Sequence, residues 1–174
     1  MIHIVLYHPE IPENTGNIMR TCVASGTKLH IIGPIPFSLQ EKHLRRAGLD
    51  YIKKTDFVYY EDYQEFLKMN ENKNVFYISR YGNKTYSDID YSKIEEDIYL
   101  MFGRESSGIN HDILRINYAK CLRIPMVDDA RSLNLSNCVA LVLYEVLRQK
   151  NFPNLAESEV IKGENFLFDE IQKD

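Results

Sequence analysis

Cysteine is scarce: Cys22, Cys121 and Cys138 are the only three in 174 residues. An odd, widely spaced set is not a disulfide framework, and the three are expected as buried free thiols in a reducing compartment. No Cys-x-x-Cys occurs, and the five histidines show no metal-ligand spacing, so no metal centre is expected. No apolar run approaches the roughly 20 residues that cross a bilayer. The opening MIHIVLYHPE has neither a basic n-region nor a small-residue cleavage site, so it reads as a first strand rather than a signal peptide, and the cytoplasm is the expected compartment. Neither Gly-x-Gly-x-x-Gly nor a phosphate loop ending in Gly-Lys-Ser/Thr is present, which leaves the dinucleotide reading weak. Excess positive charge is lacking too. The net charge of −4 argues mildly against a nucleic-acid partner, although phosphate contacts depend on local patches.

One such patch exists. Lys42-His43-Leu44-Arg45-Arg46, followed by Lys53 and Lys54, is the densest basic run. It reads either as a solvated helix face or as a polyanion contact.

The length suits one domain with a sizeable core. Strand and helix patterns alternate. Strands are expected at Ile2–Tyr7, Leu29–Ile32, Val75–Ser79, Ile98–Phe102 and Cys121–Pro125. Helices are expected at Asn14–Ala24, Leu39–Ala47, Tyr60–Met69, Asp112–Ile116 and Leu135–Gln149, the last carrying Leu135, Val139, Val142, Leu143 and Val146 at helical spacing. Alternation of this kind implies a single-domain α/β fold, a parallel sheet flanked by helices. Ligands of such sheets bind at the carboxyl ends of the strands. Residues 1–150 form the expected domain, with 151–174 as a tail that is at most partly ordered.

Three strand-exit loops carry the polar chemistry. In Pro9–Arg20, Asn14, Asn17 and Arg20 recur every three residues and are expected to share one face of a helix start, where a phosphate or ribose is favoured. In Leu100–Ile109 an apolar strand runs into Gly103-x-Glu105-x-x-Gly108, whose glycines allow close backbone approach and positive φ. In Ile124–Asn137, Ser132, Asn134, Ser136 and Asn137 crowd the start of an apolar helix. One of them suffices as a cap, and the surplus points to a ligand.

These three segments, in this order, resemble the signature motifs of the SPOUT methyltransferases, in the branch that methylates tRNA and rRNA ribose 2′-hydroxyls. The similarity runs from about Met1 to Lys150, includes Arg45–Tyr51 and the Tyr144-Glu145 and Arg148-Gln149 pairs, and is greatest toward the short enzymes that modify nucleotide 34 of leucine tRNAs. The resemblance implies a deep C-terminal trefoil knot, S-adenosyl-L-methionine held by the knot loops, a homodimer and tRNA as partner. Carried over by position, Arg20 matches the catalytic arginine, and Asn14, Glu105, Ser132 and Asn134 match the polar residues around it. The cofactor would meet Ile78, Gly103, Glu105, Gly108, Ile124, Ser132, Leu133 and Asn137. Arg45, Arg46, Lys53 and Lys54 are the expected RNA contacts. Arg104 and Asn110 stand where the family often has proline. A guanidinium with a pKa above about 12 is a poor general base, so Arg20 is read as an orienting and electrostatic group. A related enzyme acting on another RNA position, and a non-catalytic RNA-binding module, are the rival readings.

Overall fold

The protein was analysed as a computed structural model, which describes residues 1–39, 56–71 and 73–169. The basic segment with Arg45, Arg46, Lys53 and Lys54, and most of the helix expected at Leu39–Ala47, lie outside the described residues.

Apolar β-forming runs supply a parallel sheet of seven strands: β1 (Ile2–Tyr7), β2 (Lys28–Ile32), β3 (Phe57–Tyr60), β4 (Asn74–Ile78), β5 (Lys84–Thr85), β6 (Ile98–Phe102) and β7 (Cys121–Arg123). Their order across the sheet is β3-β2-β1-β6-β4-β7-β5, and every pairing among them is parallel. The α-helices among the described residues are α1 (Pro12–Ser25), α2 (Tyr63–Met69), α3 (His111–Ile116), α4 (Leu135–Gln149) and α5 (Phe166–Asp169).

Strands β1 and β6 are buried on both faces, which explains why they read as continuous apolar runs rather than alternating ones. On one face Ile4, Leu6, Leu100 and Phe102 pack with Ile18 and Met19 of α1 and with Val139, Val142 and Val146 of α4. On the other, Val5, Tyr7, Tyr99 and Met101 pack with Phe66 of α2 and Leu114 of α3. That second face also buries two imidazoles. His3 Nδ1 lies 2.9 Å from His30 Nε2, and His30 Nδ1 lies 2.8 Å from the Tyr60 hydroxyl. Burial lowers the pKa of both rings, that of His30 to about 4.

Register fixes where the loops leave. Leu6 pairs with Phe102 and Phe102 with Ile78, so the chain exits β1, β6 and β4 along one line at the carboxyl edge. β7 joins them through Ile78 and Leu122.

Several boundaries differ from the expectations. Phe57–Tyr60 is an additional strand, and the helix expected from Tyr60 begins only at Tyr63. Asp62 caps it, accepting a hydrogen bond from Glu65 N at 2.9 Å. Helix α1 starts at Pro12 and has no side-chain cap. Asn14 therefore sits inside the first turn. Gly26 does stop that helix, in the left-handed region at φ 63°. In the tail, Phe152 and Leu155 pack against the main core, while Leu167 and Phe168 are exposed.

Candidate active site

The loops that follow β1, β4, β6 and β7 enclose a cavity of about 770 Å³ at the carboxyl edge of the sheet. That volume is in the range of small-molecule sites. Ile78, Phe102, Ile124, Leu133 and Leu135 give it apolar walls, and Asn14, Glu105, Ser132 and Asn134 give it polar ones. Gly103 and Gly108 line it as well.

A chain of side-chain hydrogen bonds ties the three loops together. The Glu105 carboxylate accepts from the backbone N–H of Glu10 at 2.9 Å and of Ile11 at 3.3 Å, and from Asn14 Nδ2 at 2.9 Å. Asn14 Oδ1 in turn accepts from Asn134 Nδ2 at 2.9 Å. Asn134 Oδ1 caps α4, accepting from Ser136 N at 2.9 Å and Asn137 N at 3.4 Å. A reciprocal link runs beside it. Ser106 donates to the Glu10 carboxylate through its backbone N–H and its hydroxyl, both at 2.9 Å, and these bonds hold the Glu10 pKa below its ordinary value. Asn14 is buried, and an amide buried this way is stable because its carbonyl and an N–H are both satisfied.

The two glycines of the second loop serve different needs. Gly108 has φ 72°, a conformation other residues adopt only with strain. Gly103 is required by close packing: a Cβ there would overlap the backbone of Gly108 and Ile109. Loop folds on loop at Gly103, which also lines the cavity.

Two expected residues stand apart. Arg20 is exposed and does not line the cavity, and neither does Asn137, whose backbone N–H belongs to the α4 cap. The physical reason is helical pitch. Each step of three residues falls about 60° short of a full turn, so Arg20 lies about 120° around α1 from Asn14. Asn14 turns inward, whereas Asn17 and Arg20 are exposed.

Arg104, marked in the sequence only as standing in place of a proline, and His8 lie at the same edge. Arg104 lines the cavity, and its Nη2 donates to His8 Nδ1 at 3.2 Å. Because arginine is donor-only, this bond leaves the proton of neutral His8 on Nε2. Burial, and then the Arg104 charge, keep the His8 pKa low. Arg104 Nε is buried without a hydrogen-bond partner, an arrangement that an anionic or carbonyl group of a ligand would satisfy. The apolar lining, the polar loop residues and this cation are the side-chain types that a cofactor with an aromatic ring and an amino-acid carboxylate would use. The signal for Arg104 lay in its being a charged residue inside a glycine loop. Among the described residues no cluster of three or more His, Cys, Asp or Glu could hold a metal ion, and no helix is long and apolar enough to cross a membrane.

Comparison with known proteins agrees with this architecture. The model of the SpoU rRNA Methylase family matches residues 1–144. The chain is 45% identical over 154 residues to the tRNA (cytidine(34)-2′-O)-methyltransferase of Escherichia coli K12, covering 88% of this chain and 96% of that one. A Listeria monocytogenes protein is 50% identical over 155 residues, covering 89% of this chain and 92% of that one. A Bacillus anthracis crystal structure superposes with a TM-score of 0.86 at 49% identity, covering 92% of this chain and all, 100%, of that one. Another, solved to explain 2′-OH methylation of C/U34 on tRNA, superposes with a TM-score of 0.79 at 39% identity, covering 87% and 97%. With its parallel sheet, its three tied loops and a family match over most of its length, the chain belongs to the SpoU rRNA methylase family.

Proposed function

We propose that this protein transfers the methyl group of S-adenosylmethionine to the ribose 2′-hydroxyl of nucleotide 34, a cytidine or 5-carboxymethylaminomethyluridine, in leucine tRNAs. The convergence of Pro9–Arg20, Leu100–Gly108 and Ile124–Asn137 on one cavity through the Glu105–Asn14–Asn134 bonds carries this reading. The E. coli relative named a tRNA (cytidine(34)-2′-O)-methyltransferase shares 45% of aligned residues.

When bound, the cofactor supplies an electrophilic methyl. The work of the chain is to position it and the ribose. Ile78, Gly103, Gly108, Ile124, Ser132 and Leu133 line the cavity that would hold it, and Glu105 fixes the loops around it. Arg104 suits its carboxylate. Arg20, as a guanidinium with a planar donor fork, grips an RNA phosphate beside the reacting hydroxyl. Arg45, Arg46, Lys53 and Lys54 carry further phosphate contacts.

The same proposal includes a homodimer. Leu141 and Tyr144 are exposed on α4 at 45% and 44%, an apolar pair that a second copy would cover. An arginine outside its own subunit's cavity is well placed to serve a neighbour's. It also includes the trefoil knot: the 124–134 loop lines the cavity before α4 returns to pack on α1. The catalytic domain is residues 1–150, extended slightly by Phe152 and Leu155, and the compartment is the cytoplasm.

The test is incubation of the purified protein with methyl-labelled cofactor and unmodified leucine tRNA, followed by mapping of 2′-O-methylated nucleosides. Methylation at nucleotide 34 is expected. Methylation elsewhere would move the assignment to another RNA position, and binding of S-adenosylhomocysteine without transfer to any RNA would make the protein a non-catalytic module.

A further inference from the structure

A second concavity, of about 260 Å³, opens beside the first and shares Tyr81 with it. It runs along one side of α3, lined by His111, Leu114, Arg115 and Tyr118. Positions 111, 115 and 118 follow helical spacing and continue into the turn after α3, so they form one ridge about 10 Å long. Its volume is below the roughly 300–1,000 Å³ of a site for a whole small molecule, which makes it a slot for a fragment such as one planar ring.

The rings present there are exposed. Tyr81 and Tyr118 are 54% and 52% accessible. Tyr81 stands edge-on to His111 with centroids 5.2 Å apart, and the Arg80 guanidinium lies 5.8 Å from the Tyr81 centroid. Arg123 Nη1 donates to the Arg80 carbonyl at 2.6 Å, which steadies the Arg80 backbone. Charge at this face opposes that of the molecule. Arg115 lines the groove and Arg80 lies against its Tyr81, two cations beside the single carboxylate of Asp112, in a chain of net charge −4. Arg115 pairs with Asp112 in an exposed bridge, and such pairs hold their partners weakly.

Stackable rings set in local positive charge form a platform for single-stranded nucleic acid. We propose that this groove is an RNA subsite: a base of the substrate, unstacked from its neighbours, inserts against Tyr118 and Tyr81 while Arg115 and Arg80 hold the adjoining phosphates. The inference rests on the tRNA reading above and adds to it a second contact surface, built from segments far apart in sequence. Continuity with the cofactor cavity through Tyr81 places the base on the same side of the molecule as the reacting ribose.

The probe is a fluorescent leucine tRNA transcript titrated at several salt concentrations. Tyr118 and Arg115 are the positions to vary, because neither lines the cofactor cavity. Tyr118→Ala is expected to weaken tRNA binding roughly tenfold, as for a lost base–aromatic stack, and Tyr118→Phe to keep it. Arg115→Gln is expected to lower the salt slope by about one. Affinity for S-adenosylhomocysteine and the melting temperature should match wild type in all three. Wild-type affinity and slope in both Tyr118→Ala and Arg115→Gln would overturn the subsite, and so would a loss that Tyr118→Phe shares. Sedimentation showing that the variants change the oligomeric state would make the groove a contact between copies and overturn it as well. If wild type methylates tRNA while the groove variants are silent, the groove alone falls. If wild type neither binds nor methylates tRNA, both readings fall.

Discussion

Replacing Glu105 with alanine removes the group that holds the first loop against the second. Three bonds are lost. Two are short and part-buried, from Glu10 N and Asn14 Nδ2 at 2.9 Å, and the third, from Ile11 N at 3.3 Å, is exposed. A hydrogen bond to a charged group contributes about 1.5–3 kcal/mol net. Taking the low end for the two short bonds and little for the third gives about 3 kcal/mol. Glu105 lies on a loop beyond the end of β6, so this free energy orders the cavity more than it holds the sheet. Affinity for S-adenosylhomocysteine should therefore fall about a hundredfold, since about 1.4 kcal/mol is a factor of ten. Calorimetric titration measures this directly. A double-mutant cycle with Asn14→Ala locates the effect, because Asn14 shares one of those bonds and passes the link on to Asn134. The two losses should be non-additive by well over about 0.5 kcal/mol. An affinity within threefold of wild type, or additive losses, would show that the Glu105–Asn14 link does not organise the cavity.

Gly103→Ala should lower cofactor affinity and melting temperature together, because the added Cβ meets the Gly108 backbone; a variant with wild-type values in both would refute the packing argument. Arg20→Ala should reduce single-turnover methylation at saturating cofactor by about a hundredfold while keeping S-adenosylhomocysteine affinity, with Arg20→Lys rescuing little; near-normal turnover would remove Arg20 from the reaction. Neutralising Arg45, Arg46, Lys53 and Lys54 should cut the salt slope of tRNA binding by about one unit per lost contact, and an unchanged slope would mark the segment as a solvated face. Folded His30 takes its proton only at about 4, against 6.5 ordinarily, so the unfolded chain binds more protons between those values. Stability should be level above about 6.5 and fall as the pH drops toward about 4, by on the order of 3 kcal/mol. Denaturant titrations across that window should show a flatter profile for His30→Gln, and an identical profile would exclude His30 as the source.

Some of this molecule was readable directly from the residue pattern and some was not. Strands β1 and β6 and helix α4 have strong period or continuous apolar character, and their bounds in the fold coincide with the pattern. Phe57–Tyr60 did not stand out, since four aromatic and β-branched residues abutting a helix blend into its periodicity until Asp62 is recognised as the cap. The site loops were legible as polar excess, whereas the roles within them were not. Asn14 looks like a cap in sequence, yet its partners are 91 and 120 residues away, and no local rule reports such a distance. The spacing of Asn14, Asn17 and Arg20 suggested one face because three residues approximate a turn. The accumulated shortfall turns Arg20 away from the cavity. The groove along α3 was invisible for the same reason as the Asn14 links: Arg80 and Tyr81 meet His111 and Tyr118 only through the sheet.

The amide of Asn134 caps α4 with its oxygen and reaches Asn14 with its nitrogen, so one side chain belongs at once to the scaffold and to the pocket. A residue in this position constrains what mutation can explore. Asp at 134 would keep the cap and lose the donor to Asn14, and Asp at 14 would keep the acceptor while setting a carboxylate against that of Glu105. Each single step through this triad breaks a bond that the next step alone could mend. Positions 14, 105 and 134 are therefore coupled as a set, and a library that varies them one at a time would find only losses, whereas joint randomisation could reach a different working combination.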